Sequence, residues 1–167
     1  MNTLEGIHVF DMTRVLAGPF CTQILGDLGA DIIKIEQPQK GDGTRAWGPP
    51  FEKDERGQPT EESAYYLSCN RNKRSLTLDF TKKEGLEIAH RLIKESDIFV
   101  ENFKTGFLAQ YGLSYEDVKK IKPDIIYCSI TGFGQTGPDA QRSGYDFQIQ
   151  GLSGLGRASL RSFSERI

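Results

Sequence analysis

The stretch IHVFDMTRVLAGPFCTQILGDLGADIIKIE, residues 7–36, decides the fold. Residues 7–11 form a short apolar run ending in an acid, as a strand does where it leaves a core. Residues 12–17 lead into Gly18-Pro19. Proline is tolerated in the first turn of a helix, because its missing N–H has no partner to lose there. Phe20, Ile24, Leu25 and Leu28 then recur at helical spacing, which predicts a buried stripe, and Gly29 is a natural C-terminal stop. Residues 31–36, DIIKIE, read as a second strand. Strand, loop, helix and strand in so short a span predict a right-handed βαβ unit with a parallel strand pair.

The same alternation continues along the chain. Residues 75–80 alternate as a strand, and Thr81 with Glu84 has the spacing of a capping box. Leu86, Ala89, Leu92 and Ile93 supply the buried face of the helix that follows. Residues 97–103 and 124–131 are further strands, separated by a short helix over 114–121 opened by Ser114 with Asp117. The fold class is therefore α/β with a mostly parallel sheet. Residues 37–63 are polar and turn-rich, a long excursion of the kind that carries function more often than not. Residues 131–156, TGFGQTGPDAQRSGYDFQIQGLSGLG, are dense in glycine and follow the last strand, where backbone can approach a ligand closely. Residues 157–167, RASLRSFSERI, show no clear period and are set apart as a tail.

The 167 residues are enough for one domain with its own core. Hydrophobic content of 37% with charged content of 26% describes a soluble globular chain. A net charge of −2 gives no electrostatic case for nucleic acid or an anionic membrane surface. No apolar run approaches the ~20 residues of a membrane span. The sequence enters its first strand without a leader pattern, so the expected location is cytoplasmic, or the mitochondrial matrix if a leader precedes it. Cys21, Cys69 and Cys128 are odd in number and lack a CxxC pair, which predicts reduced thiols. His8 in a strand and His90 on a helix are expected to be structural, and no metal site is expected.

In open α/β sheets ligands bind beyond the carboxyl ends of the strands. Residues 13–19, 36–45, 101–106 and 132–146 converge there. The helix opening near Pro19 offers free N–H groups suited to a phosphate. There is no GxGxxG before it, so a dinucleotide site would lack its phosphate loop. Glu36 has the place of a ribose-binding acid, or is a solvated strand-end acid. Residues 70–74, NRNKR, are either a solvated loop or a phosphate clamp. Asp146, flanked by Tyr145 and Phe147, is either a helix N-cap or a catalyst.

The blocks LEGIHVFDMTRVLAGPFCTQILGDLGADIIKIE, GDGTRAWGPP, NRNKRSLTLDF, DIFVENFKTG, IIYCSITGFGQTGP and GYDFQIQGLSGL, in this order, resemble the family III CoA-transferases. That group includes formyl-CoA and carnitine-CoA transferases and the α-methylacyl-CoA racemases. The resemblance covers about residues 4–155 and is strongest toward the succinyl-CoA:glutarate branch. It implies a Rossmann-like large domain and an interlocked homodimer. Acyl-CoA and a carboxylic acid are the implied substrates, with no tightly bound cofactor. Transferred residue by residue, Val15, Leu16 and Ala17 would line the CoA pocket with Leu78 and Asn102. Gln37 and Gln110 stand where some relatives place arginines near the CoA phosphates. Trp47 and Tyr65 match residues facing the acyl region, and Thr105 replaces the usual proline of the ENF-x-P-G turn.

Tyr145 stands where the racemase branch has an acid/base histidine, and tyrosine titrates too high to replace it easily. The resemblance therefore implies acyl transfer, in which an aspartate attacks the thioester to give an acyl-aspartyl anhydride and CoA thiolate. Asp146 matches an accessory acid. The nucleophilic aspartate belongs to a later block that this sequence lacks. Three readings stand at this point. The chain is part of a CoA-transferase and inactive alone, or a CoA- or nucleotide-binding module without chemistry. In the third reading it is an enzyme with an unrecognised nucleophile such as Asp146.

Overall fold

The computed structural model describes residues 2–155. β1 (His8–Met12) leads through α1 (Ala17–Asp27) to β2 (Asp31–Glu36). A hairpin of β3 (Phe51–Lys53) and β4 (Pro59–Ser63) and the short α2 (Ala64–Ser68) occupy the long excursion. Then follow β5 (Lys73–Thr77), α3 (Lys83–Lys94), β6 (Ile98–Glu101), α4 (Tyr115–Ile121) and β7 (Ile126–Ser129). Five of these strands form one parallel sheet in the order β5-β2-β1-β6-β7. The βαβ expectation for residues 7–36 is met, with His8 to Asp11 of β1 in register with Asp31 to Lys34 of β2. α5 (Asp146–Leu152) belongs to a second compact unit that begins at Thr131, after a first unit of Met1–Ile130.

Period-two alternation sends side chains of each central strand to opposite faces of the sheet. Phe10, Met12, Ile35 and Phe99 join Ala89 and Ile93 of α3 in the larger core. Val9, Ile32 and Val100 form a smaller core on the other face, where Leu25 of α1 packs. Phe10 and Phe99 touch at 5.5 Å between ring centroids, and Phe99 stacks on Tyr127 at 4.7 Å.

α1 departs from the stripe predicted for it. Phe20, Ile24 and Leu28 are 50%, 45% and 44% exposed, while Gly18, Pro19, Thr22 and Gln23 are buried. The reason lies at the end of β1, where the buried Asp11 carboxylate needs donors. The Thr22 hydroxyl gives it one, and Gln23 accepts the Arg71 N–H at 3.3 Å, so the polar side of the helix turns inward.

The capping box is also corrected. α3 is capped by Lys82 without a side-chain bond, and the Thr81 hydroxyl is taken by the Asp79 carboxylate. Asp79 thus forms an Asx-type turn that competes with the cap. Ser114 does cap α4, accepting the Asp117 N–H. β5 begins two residues earlier than the expected strand start at Ser75, because Lys73 pairs with Ile32 of β2.

Gly85 sets the approach of α3 to this turn. A Cβ there would lie 2.0 Å from the Asp79 carbonyl oxygen, a backbone atom that cannot swing aside. Gly85→Ala is therefore expected to destabilise the chain by about 2 kcal/mol or more despite alanine's better helix propensity. Urea unfolding of the two proteins measures this, and a neutral or stabilising result would contradict the close approach.

Candidate functional site

Connections from β1 run to β2 on one side of the sheet, while β6 and β7 extend it on the other. The carboxyl ends of β1 and β6 therefore flank a topological switch point, the usual ligand crevice of such sheets. The loop Thr13-Arg14-Val15 lies there, and side chains grip its backbone throughout. The Asp11 carboxylate accepts the Thr13 N–H at 2.8 Å, and Lys34 Nζ donates to the Thr13 carbonyl at 2.8 Å. Asn102 accepts the Arg14 N–H at 2.8 Å and donates back to the Arg14 carbonyl at 2.7 Å. Asp42 accepts the Val15 N–H at 3.2 Å, and the Cys69 thiol lies 3.6 Å from the Val15 carbonyl oxygen as its donor. The Arg14 guanidinium covers the Phe103 ring at 4.3 Å.

Val15 is held at φ +69°, a left-handed conformation that a β-branched residue adopts only under constraint. Val15, Leu16 and Ala17 remain exposed, so they form an apolar ledge on a fixed backbone.

Two buried ion pairs underlie the ledge. Lys34 Nζ lies 3.0 Å from Asp42, each side chain 1% exposed. Lys73 Nζ lies 3.3 Å from Asp11 and also donates to the Pro19 carbonyl at 2.7 Å. Burial alone would raise the Asp42 pKa, but the Lys34 charge and the Thr44 donors outweigh it and hold the carboxyl below its usual range. Burial lowers the Lys73 pKa against the opposing pull of Asp11.

Glu36 is neither a solvated acid nor free for a ribose. Its carboxylate is buried and receives Arg45 in bidentate fashion at 2.7 Å on each oxygen. Tyr66, Ser75 and the Asp42 N–H complete its shell at 2.9, 2.7 and 2.8 Å. Burial pushes its pKa up, yet these donors prevail and bring it to about 2. Burial, together with the Glu36 charge, drives the Tyr66 phenol upward.

This network braces the strip that carries Trp47 and Tyr65. Arg45 sits in the 3₁₀ turn Gly43–Ala46, which ends directly before Trp47. Ser63 donates to the Thr44 carbonyl and caps α2, which bears Tyr65. Trp47 and Tyr65 accordingly meet edge to face, 5.2 Å between centroids.

Gln37 and Gln110 are exposed, on the loop after β2 and on the 3₁₀ turn Leu108–Tyr111. Leu78 is buried within the larger core. Asn102 follows Glu101, whose buried carboxyl accepts the Phe103 N–H at 2.7 Å and the Ser129 hydroxyl. Thr105 has its hydroxyl buried without a partner among the described residues.

The basic run 70–74 is not a free phosphate clamp. Arg71 pairs with Asp27, Arg74 with Asp31, and Lys73 turns inward to Asp11. Cys69 is fully buried, and burial raises its thiol pKa, which removes it as a ready nucleophile. No group of three or more His, Cys, Asp and Glu among the described residues is arranged to hold a metal ion.

In the second unit, Gly132 and Gly144 bring their backbones together: a Cβ on Gly132 would lie 2.4 Å from the Gly144 Cα. Tyr145, 74% exposed, is the N-cap residue of α5 and makes no side-chain capping bond. Asp146 is therefore not the cap; it is the first residue of the helix, near the positive end of its dipole. The tail 157–167 lies outside the described residues.

Sequence reasoning passed over Lys34, Asp42, Arg45, Tyr66 and Ser75. One signal was available for Lys34. A strand buried on both faces reads as a near-continuous apolar run, so a lysine inside DIIKIE demands a buried partner.

Among the described residues no helix is long and apolar enough to cross a membrane. The mouse succinyl-CoA:glutarate CoA-transferase is 52% identical over 155 residues, 93% of this chain and 34% of that protein. The Agrobacterium fabrum succinate–glutarate CoA-transferase is also 52% identical, over 91% of this chain and 38% of its own length. The chain thus spans about a third of the length of these curated relatives. A crystal structure of a CAIB/BAIF family protein from Brucella suis superimposes with a TM-score of 0.85 at 55% identity, covering 92% of this chain and 40% of that one. The model of CoA-transferase family III matches residues 4–162, and with the parallel sheet shared with the Brucella suis protein it establishes that this chain belongs to CoA-transferase family III.

Proposed function

We propose that this chain forms the CoA-side wall of a CoA-transferase that moves CoA between an acyl-CoA and a dicarboxylic acid. The observation that carries this reading is the ledge Val15-Leu16-Ala17, fixed at the switch point of a parallel sheet in a chain of this family. An exposed apolar edge on a rigid backbone suits the pantetheine and adenine of CoA, because little ordering entropy is lost on contact. Trp47 and Tyr65 supply the aromatic surface toward the acyl group. The succinyl-CoA:glutarate relatives at 52% identity support reading short dicarboxylates as its substrates.

In the proposed reaction an aspartate carboxylate attacks the thioester carbonyl. The C–S bond breaks, the CoA thiolate leaves, and an acyl-aspartyl anhydride forms. The thiolate then attacks the aspartyl carbonyl of that anhydride, which puts CoA on the enzyme and frees the donor acid. The acceptor carboxylate runs the two steps in reverse. The attacking aspartate comes from outside residues 1–167. Asp146 serves as an accessory acid, Tyr145 disfavours racemisation, and the working unit is a homodimer.

CoA binding to the native chain tests the reading. At one hundred times its dissociation constant CoA stabilises by about 2.7 kcal/mol, several degrees in melting temperature. NAD is expected to give no shift, since Glu36 is locked by Arg45. No shift with saturating CoA overturns the proposal.

A further inference from the structure

Every backbone N–H and carbonyl of Thr13, Arg14 and Val15 is bound by a side chain: Asp11, Lys34, Asn102, Asp42 or Cys69. These five are Asp11 of β1, Lys34 of β2, and the residues just after β6, just before the 3₁₀ turn Gly43–Ala46 and just after α2. Four of the six backbone groups belong to Thr13 and Arg14, whose conformations ordinary residues adopt without help. The Val15 N–H and carbonyl belong to the strained one. Among the described residues Asp42 alone binds the Val15 N–H, with both carboxylate oxygens at 3.2 and 3.4 Å, and the remaining lone pairs of Asp42 are taken by Lys34 and Thr44.

We propose that Asp42 is a positioning residue for acyl-CoA, holding Val15 in its left-handed conformation so that the ledge has its binding shape before the ligand arrives. The inference rests on the reading that this ledge takes CoA. Lys34 fixes the carboxylate from below and at the same time holds the Thr13 carbonyl, so one buried ion pair anchors both ends of the loop. Preorganisation of this kind improves affinity by removing the ordering cost from the binding step.

The test is a double-mutant cycle read by CoA affinity and by amide hydrogen exchange at position 15 in the ligand-free protein. Asp42→Asn places an amide donor against the Lys34 ammonium and the Val15 N–H. It is expected to weaken CoA at least about tenfold, one factor of ten being ~1.4 kcal/mol, and to speed exchange at Val15. In a Val15→Gly background the same change is expected to cost less than about threefold, because glycine adopts positive φ without support. An equal loss in both backgrounds overturns the proposal, as does unchanged affinity in Asp42→Asn. If Asp42→Asn does not fold, Lys34→Met with Asp42→Asn removes the pair together and is read in the same way. Failure of the wild-type chain to bind CoA sinks the binding reading of the ledge. The exchange comparison at Val15 then still decides whether Asp42 holds the loop.

Discussion

Glu36→Gln is expected to destabilise the fold by about 3–5 kcal/mol at neutral pH, the range for removing one charge of a buried pair. The carboxylate is closed off from water and receives five donors, two of them from one guanidinium. Glutamine keeps the shape but turns an acceptor into a donor facing Arg45, leaving that part-buried cation with the more exposed Glu62 as its counter-charge. A domain of this size has about 5–15 kcal/mol in total, so the loss is a large share. The pH dependence carries the same signature. Glu36 has its folded pKa depressed to about 2, below the ordinary 4.5, so its contribution is fully present above about 4.5 and is lost as pH falls toward about 2. That difference corresponds to roughly 3 kcal/mol. Urea unfolding at pH 7, 4 and 3 should show the wild type losing stability over this window and the Gln variant losing much less. Parallel pH profiles for the two proteins would refute the assignment.

Asp11→Ala is expected to have an effect of the same order, about 3–5 kcal/mol. It strips Lys73, 2% exposed, of its counter-charge and removes the acceptor of the Thr13 N–H and the Thr22 hydroxyl. Thr22 is what turns the polar side of α1 inward, so the variant should also loosen that helix, seen as faster amide exchange across Ala17–Asp27. Adding Lys73→Met should recover part of the loss, because the stranded charge goes with it. A coupling of about 1–3 kcal/mol is the expected size for neighbours in one network. Strict additivity would show that the two residues do not act as a pair.

Both variants concern groups that sequence reading either misjudged or passed over, and the reason is common to them. Glu36 ends an apolar strand, and a strand-end acid ordinarily points into water. Its burial depends on Arg45 and Tyr66, 9 and 30 residues further on, closing over it from the long excursion. The run 70–74 looked like a basic patch because composition counts charges without their partners. Asp27 and Asp31 lie some forty residues earlier and neutralise it only after the βαβ unit has formed. Of the expected site residues, Trp47 and Tyr65 do meet, and Asn102 and Val15 do belong to one clamped loop region.

What the sequence determined by itself was the alternation of elements and the parallel sheet. Hydrophobic period and turn chemistry are local, and residues 7–36 carry both in one uninterrupted βαβ unit. Local capping was legible at Ser114 and misread at Thr81, where a competing aspartate two residues away took the hydroxyl. Only the tertiary structure decided which way α1 faces, which charges are buried, and that Val15 stands in a left-handed conformation. Each of these depends on groups far apart in the chain being forced out of water together. A buried charge takes whichever partner the fold brings within reach, and neither helical period nor composition records that partner.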